Sequence, residues 1–158
     1  MTKLLDRMMA LGQEAIERRI GERDSMLPVI HAMYDNGQSI VIGMPWRSAA
    51  EKVAILAEIR KTFKQTGVLA YCATIEAWTV MEPVPEEEFK SGDFKMPSER
   101  DDRVEVFMAF ASDGTDQRSK MWDIERDAKG CVSAIRHRPL PDDMPFEGII
   151  PELLSDRE

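Results

Sequence analysis

Cysteine is scarce in this chain: its 158 residues hold two, Cys72 and Cys131. A disulfide-stapled scaffold is thereby excluded, and the pair could bond only if their strands were neighbours, so both are expected as free, buried thiols. Histidine is equally sparse. His31 and His137 stand at no paired spacing from either cysteine, which leaves no close-set zinc ligands and no sign of a metal or cofactor. Long apolar runs are missing too: nothing approaches the ~18 residues of a membrane helix. Asp6 and Arg7 interrupt the start before it could serve as the apolar segment of a signal peptide. These absences point to a cytoplasmic protein that does not span a membrane. Clustered glycines are lacking as well, since Gly43-Met44-Pro45-Trp46 offers one glycine and a proline before a helix, too little to cradle a phosphate.

Charge is present but lopsided. The net charge is −8, and residues 68–158 alone carry 21 acidic against 11 basic groups. Such a surface repels phosphate backbones at long range, so general nucleic-acid binding is not expected.

The stretch from Val68 to Met81, VLAYCATIEAWTVM, is the longest β-type run and sits near the middle of the chain. Alternation puts Leu69, Tyr71, Ala73, Ile75, Ala77, Thr79 and Met81 on one side, expected as core. The other side carries Val68, Ala70, Cys72, Thr74, Glu76, Trp78 and Val80, a face that requires partial cover. Before it, Thr2 can cap a helix whose Leu4, Leu5, Met8, Met9, Leu11, Ala15, Ile16 and Ile20 recur at helical spacing up to Gly21, with the methionines read as core. Two apolar runs flanking Asp35-Asn36-Gly37 predict a hairpin with strands at 29–34 and 39–44, and with His31 as a satisfied structural histidine. Ser48 then caps a second helix with the stripe Val53, Ile55, Leu56, Ile59 and Phe63, stopped by Gly67.

After the central run, residues 82–102 form a long loop rich in proline, glycine and acid. Strands are predicted at 103–111, 120–126 and 132–137, joined by turns at Asp113-Gly114 and Asp127 to Gly130. The order α-β-β-α-β-β-β-β implies an α+β domain over 1–138 with a mostly antiparallel sheet of about six strands, in which one helix-linked pair could run parallel. Residues 139–158 read as a Pro-rich acidic tail packing on the surface, with Phe146, Ile149, Ile150 and Leu153 as anchors.

No complete catalytic motif stands out, and catalytic residues are not assigned. The one constellation with chemical potential is Glu76 and Trp78 on the second face, close to Arg103, Glu105 and Phe107 if the two strands pair. Carboxylates, an indole and a guanidinium from Arg100 or Arg103 could grip a planar or cationic ligand, or form only a cross-strand salt bridge. The combination of Glu76-Ala77-Trp78 with Pro97-Ser98-Glu99-Arg100-Asp101-Asp102-Arg103-Val104-Glu105 resembles a group of small, uncharacterised bacterial and phage-encoded proteins. The resemblance covers about a third of the chain; it implies a bacterial or phage cytosolic setting and no activity.

Three functions follow as expectations. The first is a non-enzymatic binding or interaction module that self-associates, because two helices cannot hide both faces of a six-stranded sheet; a homo-oligomer with a possible small-molecule ligand is its form. The second is a metal-dependent phosphoester hydrolase with Glu76, Asp101 and Glu105 as ligands and Arg103 stabilising charge. The third is an acidic phage inhibitor that occupies a basic host protein surface.

Overall fold

A computed structural model describes residues 2–45, 47–79, 104–139 and 153–154. The elements are α1 (Thr2–Glu17), β1 (Val29–Tyr34), β2 (Ser39–Gly43), α2 (Ala49–Thr66), β3 (Val68–Thr79), β4 (Val104–Ser112), β5 (Gln117–Arg126) and β6 (Val132–Arg138). The fold is α+β, and the six strands form one sheet in the order β2-β1-β3-β4-β5-β6.

Local chemistry sets the turns. Tyr34 N–H donates to Gln38 O across the first hairpin, where Gly37 takes a φ of 84°. Asp113 Oδ1 accepts from the N–H groups of Thr115 and Asp116, and Asp127 Oδ1 accepts from those of Lys129 and Cys131, so an aspartate side chain organises each of the later turns. Ser48 Oγ caps α2 by accepting from Glu51 N–H, and Gly67 ends it in the left-handed region.

All neighbouring strands described are antiparallel, so the helix-linked pair that could have run parallel forms no ladder. The reason is that α2 carries the chain over β1: β2 and β3, the strands it links, run in the same direction but with β1 between them. The free thiols are likewise explained by the order, since β4 and β5 separate Cys72 on β3 from Cys131 at the entry to β6.

The two helices take opposite faces. On one, α2 contributes Leu56, Ile59 and Phe63 to a core with Tyr71, Ala73, Ile75, Val106, Met108 and Phe110. Leu153 completes it: the residue is buried, and its N–H donates to the hydroxyl of Tyr71, 3.2 Å away. The C-terminal segment thus reaches the core at Leu153, deeper than a surface anchor; Phe146, Ile149 and Ile150 lie outside the described residues. On the other face, Leu5, Met8, Met9 and Ile16 of α1 pack on Met33, Ala70, Cys72, Phe107, Ala109 and Trp122. The methionines of α1 are core.

Three apolar residues depart from their expected places. Leu69 is 44% exposed while Val68 is buried, because the β1–β3 register shifts between Met33 and Tyr34 and leaves Leu69 as a bulge. Val53 is exposed on α2, and Ile20 is half exposed because α1 ends at Glu17, where Arg19 N–H bonds to Ile16 O and Gly21 turns away to donate to Val132 O.

The approach of α1 depends on small residues. A β-carbon at Gly12 would lie 2.5 Å from Cys72 Sγ and 3.2 Å from Thr74 Cγ2. Burial pushes the Cys72 thiol up to about 12, so it serves as a packing atom and not as a nucleophile. Alanine in a helix interior is ordinarily better than glycine by about 1 kcal/mol. Here Gly12→Ala is expected to destabilise by about 1–3 kcal/mol through overpacking, and Cys72→Ala should recover most of that loss in the double variant. Denaturant titration of the four proteins measures the coupling; additive effects would show that the seam does not set the helix position.

Candidate functional site

β3 and β4 pair as the site reading requires, with Glu76 opposite Phe107 and Trp78 opposite Glu105. The period of two puts the Glu76 and Glu105 side chains on the α1 face, near the end of the sheet where α1 has finished and the α1–β1 connection crosses. The described guanidinium that meets them belongs to Arg126, the last residue of β5. Its Nε donates to both oxygens of Glu105 at 2.9 and 3.0 Å, and its Nη2 donates to Glu76 Oε1 at 2.9 Å and to Glu105 Oε1. Nη1 turns to the carbonyl of Gly130 at 2.8 Å. Glu76 Oε2 accepts from Met26 N–H at 2.7 Å.

This is a two-carboxylate, one-guanidinium cluster that ties three strands to the connection above them. The connection is itself stitched to β6, Val132 N–H donating to Glu22 O. Burial, then the facing Glu105 carboxyl, raises the pKa of Glu76, while the hydrogen bonds from Arg126 lower that of Glu105. Of the two, Glu105 is held the more firmly as a carboxylate and Glu76 takes up a proton the more readily. Chemically the cluster is closed: the Arg126 fork occupies the face between the carboxylates that a cation would need.

Arg100, Arg103, Asp101 and the segment 97–103 that carries half of the resemblance lie outside the described residues, as does the side chain of Trp78. Among the described residues no three or more of His, Cys, Asp and Glu come together as a potential metal site, and no helix is long and apolar enough to cross a membrane. Arg126 was missed as a site residue because the sequence places it 21 and 50 residues from its partners; only the β4–β5 register brings it diagonal to Glu105.

His31 is not the satisfied histidine expected. It lies on the α1 face of β1, half-buried, with Nδ1 unpartnered. Burial, then the positive charge of Arg18, lowers its pKa against an opposing pull from Glu14. Comparison with protein-family models, curated proteins and solved structures found no match.

The cluster makes opposite pH predictions for its two acids. Glu105, lowered in the fold, stabilises above the ordinary carboxylate range near 4.3 and loses that contribution as pH falls through its folded value. Glu76, raised, is destabilising when ionised at neutral pH and is relieved as it takes up a proton. Arg126→Ala is accordingly expected to lose about 3 kcal/mol at pH 7, as breaking a largely buried pair does, and to lose less at pH 4. Glu76→Gln should leave stability at pH 7 equal or higher. Urea unfolding at both pH values decides it, and a Glu76→Gln loss as large as that of Arg126→Ala would refute the assignment. For His31, NMR titration should give a midpoint below 6.5, with native stability falling as pH drops through the interval between 6.5 and that midpoint.

Proposed function

We propose that this chain is a non-enzymatic interaction module that self-associates by pairing the outer edge of β2 with the same edge of a second copy. One observation carries the reading: the two edges of the sheet are treated differently. β6, at one end, bears Arg136, His137 and Arg138 and is bulged where its register with β5 shifts near Arg126. These are the devices that keep an edge from pairing. β2, at the other end, reads Ser-Ile-Val-Ile-Gly, with no charge, no proline and no register shift against β1.

β2 also carries apolar surface. Val41 is 65% exposed and shares the α1 face with Gly43, over which Leu27 lies, itself 46% exposed. α1, α2 and Leu153 bury the middle of both faces, and Val41 and Leu27 are two of the large apolar side chains left exposed. Antiparallel pairing about a two-fold axis at Val41 would continue the sheet, satisfy the edge backbone groups and bring Val41 and Leu27 of each copy together. A cytoplasmic setting goes with this proposal, in keeping with two unpaired thiols. The hydrolase reading has less support, because Glu76 and Glu105 are taken up by Arg126 and Met26.

Light scattering over a concentration series should show a dimer, and Val41→Lys, which puts a charge at the centre of the edge, should give a folded monomer. A wild-type protein that stays monomeric at every concentration defeats the proposal.

A further inference from the structure

The shoulder opposite β2 is concave and cationic. A helix is about 10 Å wide and strands lie about 4.8 Å apart, so one helix covers roughly two strands of a sheet. α1 lies chiefly over β3 and β4 and only reaches β5, which leaves the start of β5 and the end of β6 uncovered beside it. Between them is a groove of about 550 Å³, its walls formed by Asp6, Ala10 and Gln13 of α1 and by Arg118, Lys120 and His137 of the sheet.

The pairing register brings two cations and an imidazole together. Arg118 and Lys120 are two residues apart on β5 and share the α1 face. His137, opposite Trp122, is the diagonal neighbour of Lys120, a spacing of about 7–8 Å. Among the described residues one carboxylate pairs with these groups: Asp6, which pairs with Arg118. Among the described residues Lys120 has no ion-pair or side-chain hydrogen-bond partner. Two cations side by side in a concavity repel one another unless a second anion joins them, and among the described residues the groove leaves space for one.

We propose that this groove binds a small organic phosphate. A phosphate presents three oxygens that accept hydrogen bonds from the guanidinium fork, the ammonium and the imidazole together, whereas a carboxylate presents two. The volume lies within the roughly 300–1,000 Å³ of small-molecule sites and exceeds what a bare phosphate fills. Met9 and Pro139, which also line the groove, offer apolar surface for the organic part. The groove lies at the far side of the sheet from β2, so binding and self-association are separable.

The test is calorimetric titration of the full chain with inorganic phosphate, glycerol phosphate, adenosine monophosphate, adenosine and succinate. At least one organic phosphate is expected to bind about tenfold more tightly than inorganic phosphate, with adenosine and succinate weaker still. Lys120→Ala should weaken that binding by about tenfold or more with no loss of melting temperature, since Lys120 has no partner among the described residues, and Asp6→Asn should strengthen it by removing the competing carboxylate. Absence of saturable binding by both organic phosphates overturns the proposal, as does affinity unchanged in Lys120→Ala. Equal binding of succinate, or inorganic phosphate binding as tightly as the organic phosphates, overturns the assigned ligand class. Loss of groove binding in a protein that remains dimeric leaves the β2 reading standing, and the converse holds for Val41→Lys.

Discussion

Everything in this fold depends on β3 being buried on both faces by two helices of different closeness. Its Ala70, Cys72 and Thr74 side is shallow, and with Ala109 and Ala111 on β4 it makes a floor on which α1 can settle until Gly12 touches Cys72 Sγ. Its Tyr71 and Ile75 side is deep, and there α2 stands off behind Phe63 while Leu153 fills the remaining space. Tyr71 is fully buried between Phe63 and Phe110, with ring centroids 5.9 and 6.2 Å away, and its hydroxyl accepts from the Leu153 backbone. A single strand thereby fixes the height of both helices and the path of the C-terminal segment.

The consequences spread sideways from that strand. Because α1 is held tightly over β3 and β4, it cannot also shelter the outer strands, and its face of the sheet is left with two shoulders of unlike chemistry. Among the described residues the β2 shoulder is apolar and uncovered, and the β5–β6 shoulder is cationic and concave. The Glu76–Arg126–Glu105 cluster belongs to a third place, the end of the sheet past the last turn of α1, where polar groups replace the helix as the cover. Arg126 there binds β3, β4 and the β5–β6 turn at once, while Met26 N–H closes Glu76 from above. A cluster so engaged acts as a clasp for the α1–β1 connection.

What the sequence by itself determined was periodicity and punctuation. Alternation along β3 and β4, the stripe Leu56, Ile59, Phe63, the Ser48 and Gly67 caps and the turns at Gly37, Gly114 and Gly130 are properties of neighbouring residues, and they specified the elements, their order and the antiparallel class. The pairing of Trp78 with Glu105 was also within reach, because both sit on long strands joined by one loop. The tertiary structure decided the rest. Leu69 left the core because a bulge against β1 is a matter between two strands, and no parallel pair formed because β1 took the place between β2 and β3. Arg126 reached Glu76 across 50 residues of chain only through the registers of two ladders. The groove at Lys120 lies where α1, seated chiefly over β3 and β4, leaves the start of β5 beside it. Each of these depends on distances between segments far apart in the chain, and a local pattern of side chains carries no information about them.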